Sequence, residues 1–292
     1  MSKVSIGLPV YNGDLYIEEA IESILNQTYK NIELIICDNA SNDRTEIICN
    51  KYAKKDKRIF YHRQKHNYGA AKNYNDTFMF ASGKYFKWIS HDDICENSFI
   101  AKCVNILEQD TNIALCYPKT VLIDDNGNTI RSYEDNLHLV TDQPFKRIYK
   151  FEKNIYLCNA VFGVIRSDIL KQTGLIGKYI SSDEVLLFEL CLLGKIYELN
   201  ERLFFRRDKK NNVRKLSRKE IAKWFDTNYR RSIHRFPLAY LTYKKIIAIH
   251  NSQSSSIEKV FCYPALSIRA WINCKSIGRR YIRMLKRILT VS

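Results

Sequence analysis

The sequence has no apolar run that approaches the ~18 residues of a membrane-spanning helix. Its first segment, Met1–Val10, is too short and too soon interrupted to be a signal peptide. It also has no internal repeat and no low-complexity tract. These absences argue against integral membrane, secreted and repeat proteins, and we expect a cytoplasmic protein.

Metal-binding and disulfide patterns of cysteine are also missing. The sequence has no C-x-x-C pair and no histidine at zinc-finger spacing, and most of its nine cysteines lie within apolar runs. We therefore expect small buried hydrophobic side chains in a reducing compartment rather than disulfides or zinc ligands. The cysteines are Cys37, Cys49, Cys95, Cys103, Cys116, Cys158, Cys191, Cys262 and Cys274.

Acidic residues become scarce after Asp208. Residues 1–208 contain 27 Lys and Arg against 28 Asp and Glu, a net charge of −1, whereas residues 209–292 contain 20 against 3, a net charge of +17. The sequence thus predicts a neutral body over 1–208 and a basic, mainly helical extension over 209–292. An excess of this kind indicates an anionic partner, either phospholipid or nucleic acid.

Strand and helix patterns alternate through the first half of the chain. Asp14 is predicted to cap the first helix, and Asp43 with Glu46 has the spacing of a capping box for the second. This alternation is typical of a parallel α/β sheet wound by crossover helices. The predicted strands are Val4–Val10, Ile32–Cys37, Ile59–Arg63 and the aromatic run Tyr85–Ile89.

The alternation ends after a predicted turn at Asp124–Gly127. Residues 131–155 are poorly patterned, which predicts a long loop. Further on we expect a strand over Asn159–Arg166, a very apolar helix over Val185–Leu193 and two short strands. The two short strands are Ile196–Leu199 and Leu203–Arg207.

Two adjacent carboxylates, Asp92 and Asp93, follow the aromatic strand directly. The carboxyl ends of strands are where α/β sheets bind ligands, and the second strand likewise ends on Asp38. If those two strands are neighbours, the three acids line one crevice, which suits a nucleotide diphosphate bridged by a hard cation such as Mg²⁺ or Mn²⁺. Helix capping by Asp92 and a loop-capping role for Asp38 are the alternatives.

A series of short motifs runs through the chain: Pro9–Asn12, Ser23–Thr28, Ile36–Asp43, Asn67–Asn73, Ser90–Asp93, Phe162–Arg166, Ser182–Glu184 and Leu203–Arg207. In this order and at this spacing they resemble the signature of glycosyltransferase family 2. That resemblance covers about residues 1–208 and implies the GT-A fold, a Rossmann-like α/β domain with a mostly parallel twisted sheet flanked by helices.

The resemblance assigns roles to particular residues. Asp93, with Asp92 beside it, is expected to bind the divalent metal, Mn²⁺ or Mg²⁺, that holds the donor diphosphate. Asp183 is expected to be the general base that deprotonates the acceptor hydroxyl for inverting attack; an N-cap role for Asp183, with Glu184 as the base, is the alternative. The expected nucleotide-sugar contacts are Pro9, Tyr11, Asn12, Asp38, Asn39, Lys65, Lys72, Asp92 and Arg206.

Three positions depart from the family pattern. Asn39 stands where many relatives have a second Asp, the metal motif begins with Ser90-His91 where an extra Asp is common, and Asp208 occupies the place of a frequent His. For Lys65 and Lys72 an ordinary solvated charge is the alternative to phosphate binding. His91 is expected to be a neutral, hydrogen-bonded loop histidine.

The implied activity is transfer of a sugar from a nucleotide-diphosphate donor, expected to be a UDP-sugar, to a glycan or lipid-linked acceptor in surface polysaccharide synthesis. Alternatives are a nucleotide-sugar-binding protein without turnover and a nucleic-acid-binding protein; no nucleic-acid motif is present, so no such partner is expected. The basic extension has apolar and cationic residues that separate onto two helix faces, at Tyr240–Ile247 and Tyr281–Leu289. We expect it either to dock on the cytosolic membrane face or to pack on the body with its cations outward.

Overall fold

The structure is a computed structural model and describes residues 1–209, 216–228 and 237–268. One mixed sheet forms the centre of the molecule. Its strands are β1 Val4–Val10, β2 Ile32–Asp38, β3 Ile59–Arg63, β4 Tyr85–Trp88, β5 Ile94–Cys95, β6 Ile113–Ile123, β7 Thr129–Tyr133, β8 Val164–Arg166 and β9 Lys195–Arg207. The strand order is β3-β2-β1-β4-β8-β6-β9-β5, and β7 pairs with β6.

Helices connect the strands and cover the sheet. The predicted α/β class is confirmed, because apolar β-branched strands alternate with helices whose apolar positions recur on one face. The helices are α1 Ile17–Leu25, α2 Thr45–Lys55, α3 Ala70–Met79, α4 Phe99–Gln109, α5 Pro144–Asn154, α6 Ser167–Leu170, α7 Ser182–Leu193, α8 Arg218–Phe225, α9 Pro237–Asn251 and α10 Ser256–Cys262.

The first four strands in the sheet order are parallel, as the sequence predicts. Beyond β4 the sheet is mixed, since β8 runs antiparallel to both β4 and β6. The strands β2 and β4 are not neighbours: β1 lies between them and pairs with both. All three still end at the same edge, because parallel strands share their direction.

Several local predictions are wrong. Residues 131–155 are not a loop, since they include the end of β7 and all of α5, whose start is marked by Pro144 at the first helical position. The segment Asn159–Arg166 is a short 3₁₀ helix followed by β8. The two predicted late strands are one strand, β9, which stays paired with β6 through register shifts.

Two predicted helix caps also differ. The residue before α1 is Tyr16, and no side chain caps that helix. Arg44 precedes α2, so Asp43 and Glu46 do not form a capping box there. Instead, the Asp43 carboxylate accepts hydrogen bonds from the backbone N–H groups of Asp14 and Thr45, at 3.1 and 3.0 Å. Asp43 therefore joins the loop after β1 to the first residue of α2 without being the residue that directly precedes the helix.

The described part of the basic extension packs on the body. Helix α9 lies against α7, and α10 lies against α5. Lys245 of α9 is buried, so the cations of this helix do not all point outward, while Tyr281–Leu289 lies outside the described residues. Among the described residues, no helix has the length and apolar character needed to cross a membrane. All cysteines among the described residues, in the body as well as in the extension, are free and buried, as predicted.

Candidate active site

A cavity of about 380 Å³ opens at the carboxyl edge of the sheet. Its walls combine acidic, cationic and apolar side chains from the loop after β4, the end of β9, the start of α7 and helix α8. The lining residues are Ala70, Tyr74, Ser90, His91, Asp92, Asp93, Leu157, Cys158, Val161, Phe162, Ile176, Ile180, Ser181, Asp183, Arg206, Arg207, Lys209, Ile221, Trp224 and Phe225.

Asp93 lies at the base of this cavity and is only 3% exposed. Its Oδ1 accepts the backbone N–H of Arg207 at 2.9 Å, which fixes the carboxylate between the β4 loop and β9. Burial raises the pKa of Asp93 to about 7, and the charge of Asp92 adds to the rise. A buried carboxylate with a raised pKa favours a cationic partner, because a cation would offset its desolvation.

Asp92 differs from its neighbour because its charge is already compensated. Ser90 donates a hydrogen bond to its Oδ1, and the Lys209 ammonium lies 2.6 Å from its Oδ2. The net effect, despite burial, lowers the pKa of Asp92 to about 2, with His91 and Lys209 as the main charges that lower it. Burial lowers the pKa of His91.

Asp183 reaches the cavity from the first turn of α7. Ser181 is the residue before the helix and no side chain caps it, so Asp183 is not the N-cap. Burial raises the pKa of Asp183, and the neighbouring Glu184 charge raises it further. A carboxylate whose pKa is shifted toward neutrality is suited to accept a proton from a hydroxyl.

Arg206 and Arg207 end β9 side by side but do different things. Arg206 lines the cavity, and its Nη1 donates to the backbone oxygen of Leu157 and to the Asn159 side chain. Arg207 is 4% exposed, and its guanidinium is held by Glu19 and by backbone oxygens that include that of Asp92. Both arginines line the cavity, but Arg206 is partly exposed there, whereas the buried Arg207 fixes the loop that carries the acids.

The residues present fit a divalent cation held in part by substrate. No group of three or more acidic, His or Cys side chains is placed to hold a metal among the described residues. Asp92 and Asp93 offer carboxylate oxygens, and Mg²⁺ typically takes one or two carboxylates and completes its shell with phosphate and water. Lys209 pairs with Asp92 in this structure and would compete with a metal ion for that carboxylate.

Asp38 lies at the same sheet edge but does not line the cavity. Its carboxylate has no exposed surface: Oδ1 accepts the Ser41 N–H at 2.8 Å, and Oδ2 accepts the Tyr61 hydroxyl at 2.9 Å. Arg63 lies 3.6 Å from the same Oδ2. In this structure Asp38 organises the loop after β2.

Asn39 and Asn12 also hold loops near this edge. The Asn39 side chain is buried and bonds both the Asn67 side chain and the Tyr68 N–H. Asn12 has a positive φ of 51°, and its side-chain oxygen accepts the Asn42 N–H. Together they join the loops after β1, β2 and β3 into one surface beside the cavity.

The remaining predicted contacts are spread over this surface. Pro9 is buried within β1, and Tyr11 is 42% exposed just after it. Lys65 is exposed, and the Lys72 ammonium pairs with Asp76 one helical turn on, at 2.7 Å. None of these four lines the cavity. Asp208 is exposed and donates its backbone N–H to Ile123.

Sequence reasoning missed the contribution of α8 to the site. Ile221, Trp224 and Phe225 of this helix line the cavity, as does Lys209 before it. A capping box between Ser217 and Glu220 starts the helix, and this pattern is readable in the sequence.

Comparison with known proteins places these observations in a family context. The model of glycosyl transferase family 2 matches residues 5–174. An uncharacterised glycosyltransferase of Rickettsia bellii is 40% identical over 143 residues, which is 48% of this chain and 20% of that protein. The minor teichoic acid biosynthesis protein GgaB of Bacillus subtilis is 36% identical over 110 residues, 37% of this chain and 12% of GgaB. This chain therefore matches only a small part of each of these two relatives.

Among solved structures, S. aureus TarS in complex with UDP-GlcNAc superposes with a TM-score of 0.66 at 17% sequence identity. The match covers 91% of this chain and 72% of that one. At this identity the similarity establishes a shared fold. At 91% coverage the match extends past β9.

Proposed function

This chain belongs to glycosyl transferase family 2, and we propose that it transfers a sugar from a nucleotide-diphosphate donor to a hydroxyl group, with inversion at the anomeric carbon. The observation that carries the proposal is the meeting of Asp93, Asp183 and Arg206 at one cavity. These residues come from sequence positions that are far apart, and only the fold brings them together. A cavity with a few convergent polar groups of shifted pKa is a typical enzyme site.

Asp183 is the proposed base. A sugar hydroxyl is a weak nucleophile unless a carboxylate takes its proton as the new bond forms. The raised pKa of Asp183 improves its match to this proton transfer at neutral pH. The Glu184 carboxylate lies 2.7 Å from the Lys245 ammonium and does not line the cavity, so we prefer Asp183 over Glu184.

The leaving diphosphate needs positive charge. Arg206 and Lys209 line the cavity beside the acids and can contact phosphate oxygens. We propose that Asp93 and Asp92 also hold Mn²⁺ or Mg²⁺, which when bound would offset the charge that develops on the departing diphosphate. Lys209 would then turn from Asp92 toward the phosphates, since one carboxylate oxygen cannot serve both cations fully.

We propose a UDP-sugar as the donor because a protein that shares this fold was solved in complex with UDP-GlcNAc. The loops joined by Asn12, Asn39 and Asp38 are proposed to hold the base and ribose beside the cavity. The relationship to a teichoic acid biosynthesis protein supports an acceptor that is a glycan or a lipid-linked glycan of the cell surface.

We also propose a catalytic domain over residues 1–208 and an extension over 209–292 that attaches to the inner face of the cell membrane. The excess of cations after Asp208 supports this, because anionic lipid attracts clustered Lys and Arg. Flotation of the full chain with anionic and with neutral vesicles tests it. Attachment predicts flotation with anionic vesicles alone, lost at high salt; a chain that stays in solution in every case contradicts it.

A thermal-shift panel of UDP-, GDP- and dTDP-sugars, each with and without Mn²⁺, tests donor binding. A ligand that binds only the folded state raises the melting temperature. We expect a UDP-sugar to give the largest rise and Mn²⁺ to increase it. An unchanged melting temperature with every nucleotide sugar would refute the proposal.

A further inference from the structure

Helix α8 closes one side of the cavity and is fixed to the body at two points. Gly69, with a φ of 87°, lies so close to the helix that a Cβ there would be 2.6 Å from the Phe225 backbone oxygen. Lys178 lies 3.9 Å from Asp226 at the end of the helix. Through these contacts the helix meets both the start of α3 and the loop before α7.

The cavity lining combines two chemistries. Asp92, Asp93, Arg206 and Lys209 are charged, and the two cations among them suit a diphosphate. An apolar side comes from α8 and from the loop that leads into the candidate base: its members are Ile176, Ile180, Ile221, Trp224 and Phe225. None of these five side chains is cationic.

Trp224 is the prominent member of the apolar side. It is 39% exposed and lines the cavity, and its ring is nearly perpendicular to that of Phe225, with ring centroids 4.9 Å apart and planes at 89°. The electron-rich face of an indole attracts the slightly positive C–H groups on one face of a pyranose ring.

We propose that Trp224 is the platform on which a pyranose ring of the acceptor stacks, and that α8 therefore completes the acceptor subsite. The inference rests on the proposed function and names the substrate class of the same site. The base must contact the acceptor hydroxyl, and Asp183 lines the same cavity as Trp224 and as Ile176 and Ile180, which precede it in the chain. The acceptor, rather than the nucleotide, is therefore the ligand that we assign to the space shared by Asp183 and the apolar side.

The experiment measures saturation transfer by NMR from the full-length protein to a panel of sugars, in the presence of UDP and Mn²⁺. The panel contains the methyl β-pyranosides of glucose, galactose, mannose and N-acetylglucosamine, with ribitol and glycerol as open-chain controls. The variants are Trp224→Ala and Trp224→Tyr, and Tyr149→Ala serves as control because Tyr149 is 56% exposed on α5 and lies outside the cavity lining. UDP affinity is measured in parallel for every protein.

Stacking predicts that at least one pyranoside is saturated on one ring face by the wild type and by Tyr149→Ala. Trp224→Ala should weaken its binding about tenfold, Trp224→Tyr should restore most of it, and UDP affinity should stay within about twofold. The inference is overturned if no pyranoside signal depends on Trp224, if ribitol behaves like the pyranosides, or if Trp224→Ala weakens UDP equally. Absence of UDP binding by the wild type would instead refute the proposed function itself.

Discussion

The Lys245 ammonium lies 2.7 Å from Oε1 of Glu184, the residue that follows the candidate base Asp183 in the chain. The same ammonium lies 2.5 Å from Glu152 Oε1, and the rings of Phe151 and Phe188 are within 5.7 Å of it. Lys245 and Glu152 are both almost fully buried. A helix of the basic extension is thereby fixed to α5 and to the first turn of α7.

Removal of this ammonium should destabilise the protein strongly. Lys245→Met leaves two acidic side chains in a buried cluster without their cation, for which we expect a loss of about 3 to 5 kcal/mol in the free energy of unfolding. Lys153→Met, which removes an exposed cation on α5, should change it by less than about 0.5 kcal/mol. Urea denaturation followed by circular dichroism measures both, and equal effects would contradict the buried cluster.

The acid limb of the pH dependence of transfer, measured at saturating Mn²⁺ so that Asp93 stays ionised, should report Asp183. The base acts in its ionised form, and its pKa is raised by burial and by Glu184. Activity should therefore be lost on acidification at a higher pH than it would be if the base were a carboxylate with an ordinary pKa. Glu184→Gln removes the like charge and should move this limb to lower pH, as measured by initial rates from pH 4 to 9. A limb that stays in place would show that Glu184 does not act on Asp183.

A second pH effect should appear in stability. Asp135 is buried, its Oδ2 has no hydrogen-bond partner among the described residues, and burial raises its pKa to about 7. Between about pH 4 and pH 7 the unfolded chain releases this proton while the folded chain keeps it, so folding is progressively disfavoured as pH rises. The stability of Asp135→Asn relative to wild type should therefore increase across this window. Asp168→Asn, an exposed control, should give no such trend.

Gly69→Ala should displace α8. The substitution places a Cβ 2.6 Å from the Phe225 backbone oxygen and requires a positive φ that alanine rarely adopts. We expect a loss of about 1 to 3 kcal/mol in stability, together with increased proteolytic cleavage within residues 216–228. Gly127→Ala is a matched control, since it has a φ of 85° and open space around it. Equal cleavage in the two variants would show that Gly69 does not fix α8.

The sequence predicts the first half of the fold well because local signals suffice there. Strands β1 and β3 have the predicted bounds, and β2 is one residue longer than predicted. The prediction fails where pairing is non-local. Strand β9 looks like two strands in sequence because the exposed, polar Glu201 interrupts it, yet pairing with β6 holds it together.

Prediction of the site is limited in the same way. Asp93 and Asp183 could be selected because motif position marks them, and the fold brings them to one cavity. The sequence could not show that Asp38 is enclosed by Tyr61 and Ser41, because those contacts depend on how the loop after β2 closes. Nor could it show that Trp224 joins the cavity, since a basic helix carries no signal for the surface it packs on.

The most direct test of the account measures the rate at which UDP, GDP or dTDP is released from the matching sugar nucleotide by the wild type and by three variants. Asp183→Asn and Asp93→Asn should each lower the rate of transfer by about 10² to 10⁴ while circular dichroism shows an intact fold. Asp183→Asn should still bind the donor, and the exposed control Asp168→Asn should transfer at the wild-type rate. Transfer at the wild-type rate by Asp183→Asn or Asp93→Asn would contradict the account.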